Sequence, residues 1–222
     1  MESETVATRP LDGLRVIESG QLLAGPFAGT ILGYFGAEVI KVEPPEKGDP
    51  IRGWRKLRNG QSLWWSSLAR NKKSVTLDLK SDRGRDLMRE LLNSADVLVE
   101  NFSPGVMAGL GYDWDSVHAK WPSIVMASIS GFGQTGPLSP NRALDTVIQG
   151  MSGLMSVTGF ADREPVRVGA SISDMMSGMC KQLSPPTFDL REFPGPVVVK
   201  HLNGAAAVCR RGQRHPGRAA GA

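Results

Sequence analysis

The sequence predicts an α/β fold: an open, mostly parallel Rossmann-like sheet flanked by helices. Three observations carry that prediction. Short apolar, β-rich runs recur near residues 14–19, 37–42, 74–79, 96–99 and 123–130. Segments with apolar residues at helical spacing, 27–35 and 82–93, stand between them, and Gly and Pro punctuate the joints. A strand–helix–strand crossover is nearly always right-handed and joins parallel strands, so a ligand crevice is expected outside the strand ends.

The first unit is the one around which the chain is organised. Leu14, Val16 and Ile17 suit a buried strand, Gly25 and Pro26 mark its end, Phe27 to Phe35 has helical spacing, and residues 37–42 resume a strand. Residues 44–71 read as a long connection rich in Pro, Gly and Arg, with Trp54, Trp64 and Trp65 and a short helix over 63–68; long ordered loops are usually functional. A second crossover follows, with a strand at 74–79, a helix at 82–93 carrying Leu87, Met88, Leu91 and Leu92, and a strand at 96–99. Pro104 suits a helix start with Gly111 as its stop, residues 113–119 a surface helix, and 123–130 a strong strand. Beyond the turn-rich loop 131–140, residues 144–157 have a helical period weakened by Gly150 and Gly153.

The chain of 222 residues, 41% hydrophobic, is long enough for one substantial domain. No apolar run approaches the roughly 18 residues of a membrane span. The start, MESETVATRPLDG, lacks the features of a secretory signal, so a soluble, cytoplasmic protein is expected. Cys180 and Cys209 have no C-x-x-C partner and His118, His201 and His215 do not cluster, so neither zinc nor a disulfide framework is expected. The pI of about 9.3 arises from one end of the chain. Residues 1–180 hold 19 basic against 20 acidic side chains and residues 181–222 hold 7 against 2, so no basic face for nucleic acid is indicated. Residues 1–180 are therefore read as one domain, and 181–222, with five prolines and five glycines, as a basic tail without a sustained period.

A dinucleotide is the first ligand to consider for such a crevice. Gly20, Gly25, Gly29 and Gly33 do not give G-x-G-x-x-G, and no G-K-[ST] follows. Glu43 stands about where a ribose-binding acid would, roughly 20 residues on, but acidic strand ends are common.

Four constellations remain: AGPFAG at 24–29, NKKSVTLDLK at 71–80, ENFSPG at 100–105 and SISDMMSGM at 171–179. Singly each has a plain structural reading, Asp174 as an N-cap before Met175 and Met176, for example. In order, together with LDGLRVIE, LGYFGAEVIKVEPPEKGDP, ADVLVENFSPGVMAGLGYDW and ISGFGQTGP, they resemble the family III CoA-transferases, the CaiB/BaiF type that includes formyl-CoA transferase. The resemblance runs from about residue 11 to 179 and stops near Lys181, so the fold is expected to be incomplete relative to that of the family.

The resemblance implies an acyl-CoA:carboxylate CoA-transferase working through a covalent aspartyl intermediate, with Asp174 as the catalytic aspartate. An unperturbed carboxyl, pKa roughly 3.9, is ionised at neutral pH and attacks without a general base. It implies CoA contacts from Leu23 and Ala24, from Leu77, Asp78, Leu79 and Lys80, from Asn101, Phe102 and Ser103, and from Arg142, whose guanidinium suits a phosphate. Lys72, Lys73 and Lys80 add positive charge nearby in sequence. No permanent cofactor is implied; CoA is a substrate, the partners are an acyl-CoA and a carboxylic acid acceptor, and the assembly is a homodimer.

Three family positions differ, Leu23 standing for a glutamine and Pro44 and Gly109 for arginines, which leaves the formyl or oxalyl substrate unassigned. A second reading is an α-methylacyl-CoA racemase, which uses a G-H-D motif; that place reads Ala143, Leu144, Asp145, and leucine cannot move a proton. A third is an inactive, truncated fragment, suggested by the shift in composition after Cys180.

Overall fold

The computed structural model describes residues 9–183, with side chains to residue 179. The expected tail, with Cys209, His201 and His215, lies outside the described residues from 184 onward, while helix α7 runs through residue 183.

Five parallel strands form the main sheet. β1 (Arg15–Glu18) leads through α1 (Ala24–Tyr34) to β2 (Glu38–Glu43). A connection holds a 3-10 turn (Pro50–Gly53), the two-residue strands β3 (Leu57–Arg58) and β4 (Gln61–Ser62) paired antiparallel, and α2 (Leu63–Leu68). Then come β5 (Lys72–Thr76), α3 (Asp82–Leu92), β6 (Val97–Glu100), α4 (Val106–Gly109), α5 (Trp114–Lys120) and β7 (Val125–Ser128). The chain closes its described part with α6 (Asp145–Met151), a 3-10 turn (Met155–Val157) and α7 (Ile172–Leu183).

The strand order is β5-β2-β1-β6-β7, with every neighbouring pair parallel. The chain winds outward from β1 to β2 and β5, then returns to β6 on the other side of β1. The crevice at this reversal lies between the carboxyl ends of β1 and β6, the place where open α/β sheets bind ligands.

The expected open parallel sheet is thus observed. Ile17 and Leu98 are fully buried and face α3 and α5 residues Met88, Leu92 and Val117, whereas Val16, Val39 and Val97 pack with Ala24 and Ala28 of α1 on the other face. Burial of each such side chain contributes about 2 kcal/mol. The caps explain the helix starts: the side chains of Ser62, Ser81 and Asp113 accept backbone N–H bonds at the beginnings of α2, α3 and α5. The helix expected across 144–157 is instead two pieces, because Gly153 adopts φ +81°, which ends α6.

Candidate functional site

Asp174 occupies the first turn of α7. It is a helical residue and not the N-cap expected from sequence, and the Ser171 carbonyl accepts the Met175 N–H at 3.1 Å. α7 lies against α1 with almost no clearance: a Cβ on Gly178 would stand 2.9 Å from the Ala24 carbonyl oxygen and 3.1 Å from the Ala28 nitrogen. Asp174 is four residues before Gly178 and shares its helix face. The first helical turn favours an anion there.

Asp145, at the start of α6, supports this turn. It is 6% exposed; Oδ1 accepts the Ser173 N–H at 2.8 Å and Oδ2 accepts a bond from Gln149 Nε2 at 2.7 Å. The fully buried Gln149 in turn accepts the Val168 N–H at 2.8 Å and donates to the Ala170 carbonyl at 3.2 Å. Two side chains one helical turn apart thereby stitch down the segment that leads into α7. The Asp174 carboxylate itself forms no hydrogen bond with the described residues. Burial, and then the charge of Asp145, push its pKa up to about 6. At pH 7 about nine in ten molecules therefore carry the carboxylate, but the unperturbed value expected from sequence is not what the fold provides.

The turn between β1 and α1 carries Leu23 and Ala24, which are 2% and 7% exposed. Leu22 there adopts φ +60°, a left-handed conformation uncommon for a branched side chain. Asn101, from the loop after β6, holds this turn as a strand neighbour would: Gln21 N–H donates to Asn101 Oδ1 at 2.7 Å and Asn101 Nδ2 donates to the Gln21 carbonyl at 2.9 Å. Cβ atoms on Gly20 and Gly25 would fall 2.6 and 2.8 Å from that same Oδ1, so both positions need glycine.

Beneath the turn is a buried ion cluster that sequence reasoning missed. Lys41 contacts Glu18 Oε1 at 2.9 Å and Asp49 Oδ2 at 2.8 Å, and Lys72 contacts Glu18 Oε2 at 2.7 Å; none of these side chains is more than 2% exposed. Two cations and two anions balance, as buried charges must. Burial pulls the Lys41 pKa down, but Glu18 and Asp49 outweigh it and the net shift is upward; for Lys72, burial wins and the shift is downward.

One expectation is corrected here, and one discounted reading stays discounted. Lys72 is committed inside the protein, and Lys73 pairs with Glu38 near the amino end of β2, so of the three lysines only Lys80 extends past a strand's carboxyl end as an exposed side chain. Glu43 is not placed to hold a ribose: Arg52 grips both its oxygens at 2.7 Å, and Ser74 Oγ and the Asp49 N–H donate to it at 2.6 and 2.9 Å. Burial raises its pKa, but these donors outweigh it and bring it to about 2.

The remaining sequence-predicted positions gather at strand ends. Leu77 is buried, with its N–H on the Glu43 carbonyl at 2.9 Å; Asp78 Oδ1 accepts the Lys80 N–H at 3.0 Å, and Leu79 packs on the core. This segment leaves the edge strand β5, two strands from β1, roughly 10 Å at ordinary strand spacing. Phe102 packs on the core, and its N–H donates to Glu100 Oε2 at 2.8 Å; Ser103 follows it. Arg142 is exposed, and its neighbour Ala143 packs against Gly131 just beyond the end of β7. A cavity of about 250 Å³ opens beside this row, lined by Glu100, Gly105, Met107, Trp114, Ser128 and Thr135. None of the predicted CoA contacts lines it. Among the described residues no group of three His, Cys, Asp or Glu side chains is arranged to hold a metal ion, and no helix is long and apolar enough to cross a membrane.

The profile of CoA-transferase family III matches residues 11–184. The chain belongs to CoA-transferase family III. Over 170 residues it is 49% identical to the succinyl-CoA–D-citramalate CoA-transferase of Chloroflexus aurantiacus, a match covering 76% of this chain and 42% of that protein. It is 47% identical over 171 residues to the acetyl-CoA:oxalate CoA-transferase of Acetobacter aceti, covering 77% of this chain and 44% of that one. The structure of a CaiB/BaiF family protein from Brucella suis superimposes with a TM-score of 0.76 at 36% identity, over 93% of this chain and 51% of that one. A Mycobacterium tuberculosis protein superimposes with a TM-score of 0.72 at 32% identity, over 79% and 49%. As a family III chain, this one thus spans less than half the length of the curated relatives it matches.

Proposed function

We propose that this chain is the CoA-handling part of an acyl-CoA:carboxylate CoA-transferase and that Asp174 is its nucleophile. The observation that carries the reading is the state of Asp174: a half-buried carboxylate in a helix's first turn, beside buried Asp145, unbonded to the described residues and with its pKa raised to about 6. Such a group is more basic than an ordinary carboxylate and is still ionised at neutral pH, as a nucleophile requires.

In the proposed reaction an Asp174 oxygen attacks the thioester carbonyl, the C–S bond breaks, and CoA leaves as thiolate. The thiolate then attacks the aspartyl carbonyl of the mixed anhydride, forming an aspartyl-CoA thioester and releasing the donor acid. An acceptor carboxylate repeats the sequence in reverse, takes CoA and restores Asp174. The β1–α1 turn and the loops after β5 and β6, with Arg142, would contact CoA; the partners are an acyl-CoA and a carboxylic acid, and CoA acts as substrate rather than resident cofactor. The relatives' names point to succinyl-CoA and small dicarboxylic acids as the first compounds to try. The same reading carries a cytoplasmic homodimer; exposed Leu144, at the N-cap of α6, and exposed Val147 and Met151, one turn apart on that helix, would suit an apolar partner surface. Leu144 stands where a racemase would need histidine, and no feature of the described residues favours that alternative.

Intact-protein mass spectrometry after incubation with succinyl-CoA and a panel of other acyl-CoAs tests the reading. An adduct on the wild type that is absent from Asp174→Ala is the expected result. If the folded protein gives no adduct with any donor, the inactive-fragment reading replaces this one.

A further inference from the structure

The buried ion cluster does more than neutralise itself. Buried ion pairs are weak contributors to stability, and apolar side chains of similar volume often serve as well. Here, however, three members spend a polar atom on the backbone of the β1–α1 turn and of the first turn of α1 that follows it. Lys41 Nζ donates to the Gly20 carbonyl at 2.9 Å, Asp49 Oδ1 accepts the Leu22 N–H at 3.0 Å, and Lys72 Nζ donates to the Pro26 carbonyl at 2.6 Å. Glu18, fully buried, bridges the two lysines. The three come from β2, from the connection after it and from β5, so the turn takes its shape only when both strands have paired. A left-handed Leu22 costs roughly 1–2 kcal/mol and persists only where its surroundings over-determine it. The Asp49 bond falls on that residue.

We propose that Lys41, Asp49 and Lys72, neutralised by Glu18, are positioning residues that set the shape of segment 20–26, the β1–α1 turn with the first turn of α1, and, through it, the affinity for CoA. The second half of this statement rests on the reading of the turn as part of the CoA site.

Asp49→Ala and Asp49→Asn separate shape from charge. Both variants remove one anion from the cluster and with it the oxygen that Lys41 Nζ contacts at 2.8 Å, but asparagine keeps an oxygen that can accept the Leu22 and Ile51 N–H bonds made by Asp49 Oδ1. Hydrogen exchange of the peptide covering residues 19–26 and calorimetric titration with CoA would be measured on the full chain, under conditions where circular dichroism shows each variant folded. Asp49→Ala should speed exchange at residues 21 and 22 and weaken CoA binding by about tenfold or more, the scale of a lost bond to a charged acceptor. Asp49→Asn should stay within about threefold of wild type in both measurements while losing similar global stability. Lys72→Met, which leaves Glu18 paired to Lys41 and removes one of the two side-chain donors on the Pro26 carbonyl, Thr30 Oγ1 at 2.7 Å being the other, takes the place of Asp49→Ala if that variant does not fold.

The proposal is overturned if turn exchange in the folded alanine or methionine variant matches wild type, if the asparagine variant loosens as much as the alanine one, or if exchange rises while CoA affinity holds. Should the wild-type chain not bind CoA, the assignment of this turn to the CoA site fails. The exchange comparison then still decides the positioning role: loosening in Asp49→Ala with retention in Asp49→Asn supports it, and any other pattern overturns it.

Discussion

Replacing Asp174 with asparagine should stabilise this protein while removing the group on which the proposed chemistry depends. The carboxyl is raised from 3.8 to about 6, by burial first and by Asp145 second. Each unit corresponds to about 1.4 kcal/mol, so the full shift is worth about 3 kcal/mol. Because the folded pKa lies above the unfolded one, the native state holds this proton more tightly than the unfolded chain. Its stabilising contribution is complete below pH 3.8, falls as pH rises, and is gone above about pH 6. Asparagine does not ionise. The variant's advantage should therefore be near zero below pH 3.8, grow through the interval to about 6, and level off at about 2–3 kcal/mol. Urea unfolding of both proteins across this range gives the difference directly. In an Asp145→Asn background the plateau should shrink, since the charge of Asp145 is one of the two causes. A pH-independent difference, or an Asp174→Asn protein less stable than wild type above pH 7, would refute the picture of a desolvated carboxylate beside a second one.

Other outcomes follow from the same geometry. The rate of adduct formation from succinyl-CoA should rise with pH through about 6 and then flatten, as the Asp174 carboxylate is the reacting form; a flat or falling profile in stopped-time mass spectrometry speaks against it. Glu43→Gln should cost about 1–2 kcal/mol at pH 7 in urea unfolding, less than the full shift from 4.5 to about 2, because Arg52 is 40% exposed and screened by solvent. Its pKa is depressed on folding, so the cost should be present above pH 4.5 and vanish as pH falls through about 2; a cost that persists in acid counts against the Arg52 pairing. Gly178→Ala sets a Cβ 2.9 Å from the Ala24 carbonyl oxygen. Overpacking of about 1–3 kcal/mol should outweigh the gain of about 1 kcal/mol in helix propensity, and a raised melting temperature would show that α7 yields easily.

The local layers of this protein are legible in its sequence because they rest on short-range rules. The valine, isoleucine and leucine runs at β1, β2 and β6 and the spacing of Leu87, Met88, Leu91 and Leu92 in α3 specify strand and helix before any tertiary contact forms. The family motifs, and with them Asp174 and the strand-end positions, are legible for the same reason: each is contiguous. What the sequence leaves open is which polar groups meet. Lys72 and Lys73 are adjacent and chemically identical, yet strand alternation sends one to Glu18 in the core and the other to the half-buried Glu38 at the sheet's margin. Asn101 meets Gln21 across 80 residues, and Asp145 meets Ser173 across 28. No local period encodes such pairings, since they depend on strand order and register. The sequence alone determined an α/β sheet and a carboxylate at residue 174. Tertiary structure alone decided that this carboxylate lies desolvated beside Asp145, with a pKa near 6 rather than 3.8, because burial and long-range charge come into being only when the layers close.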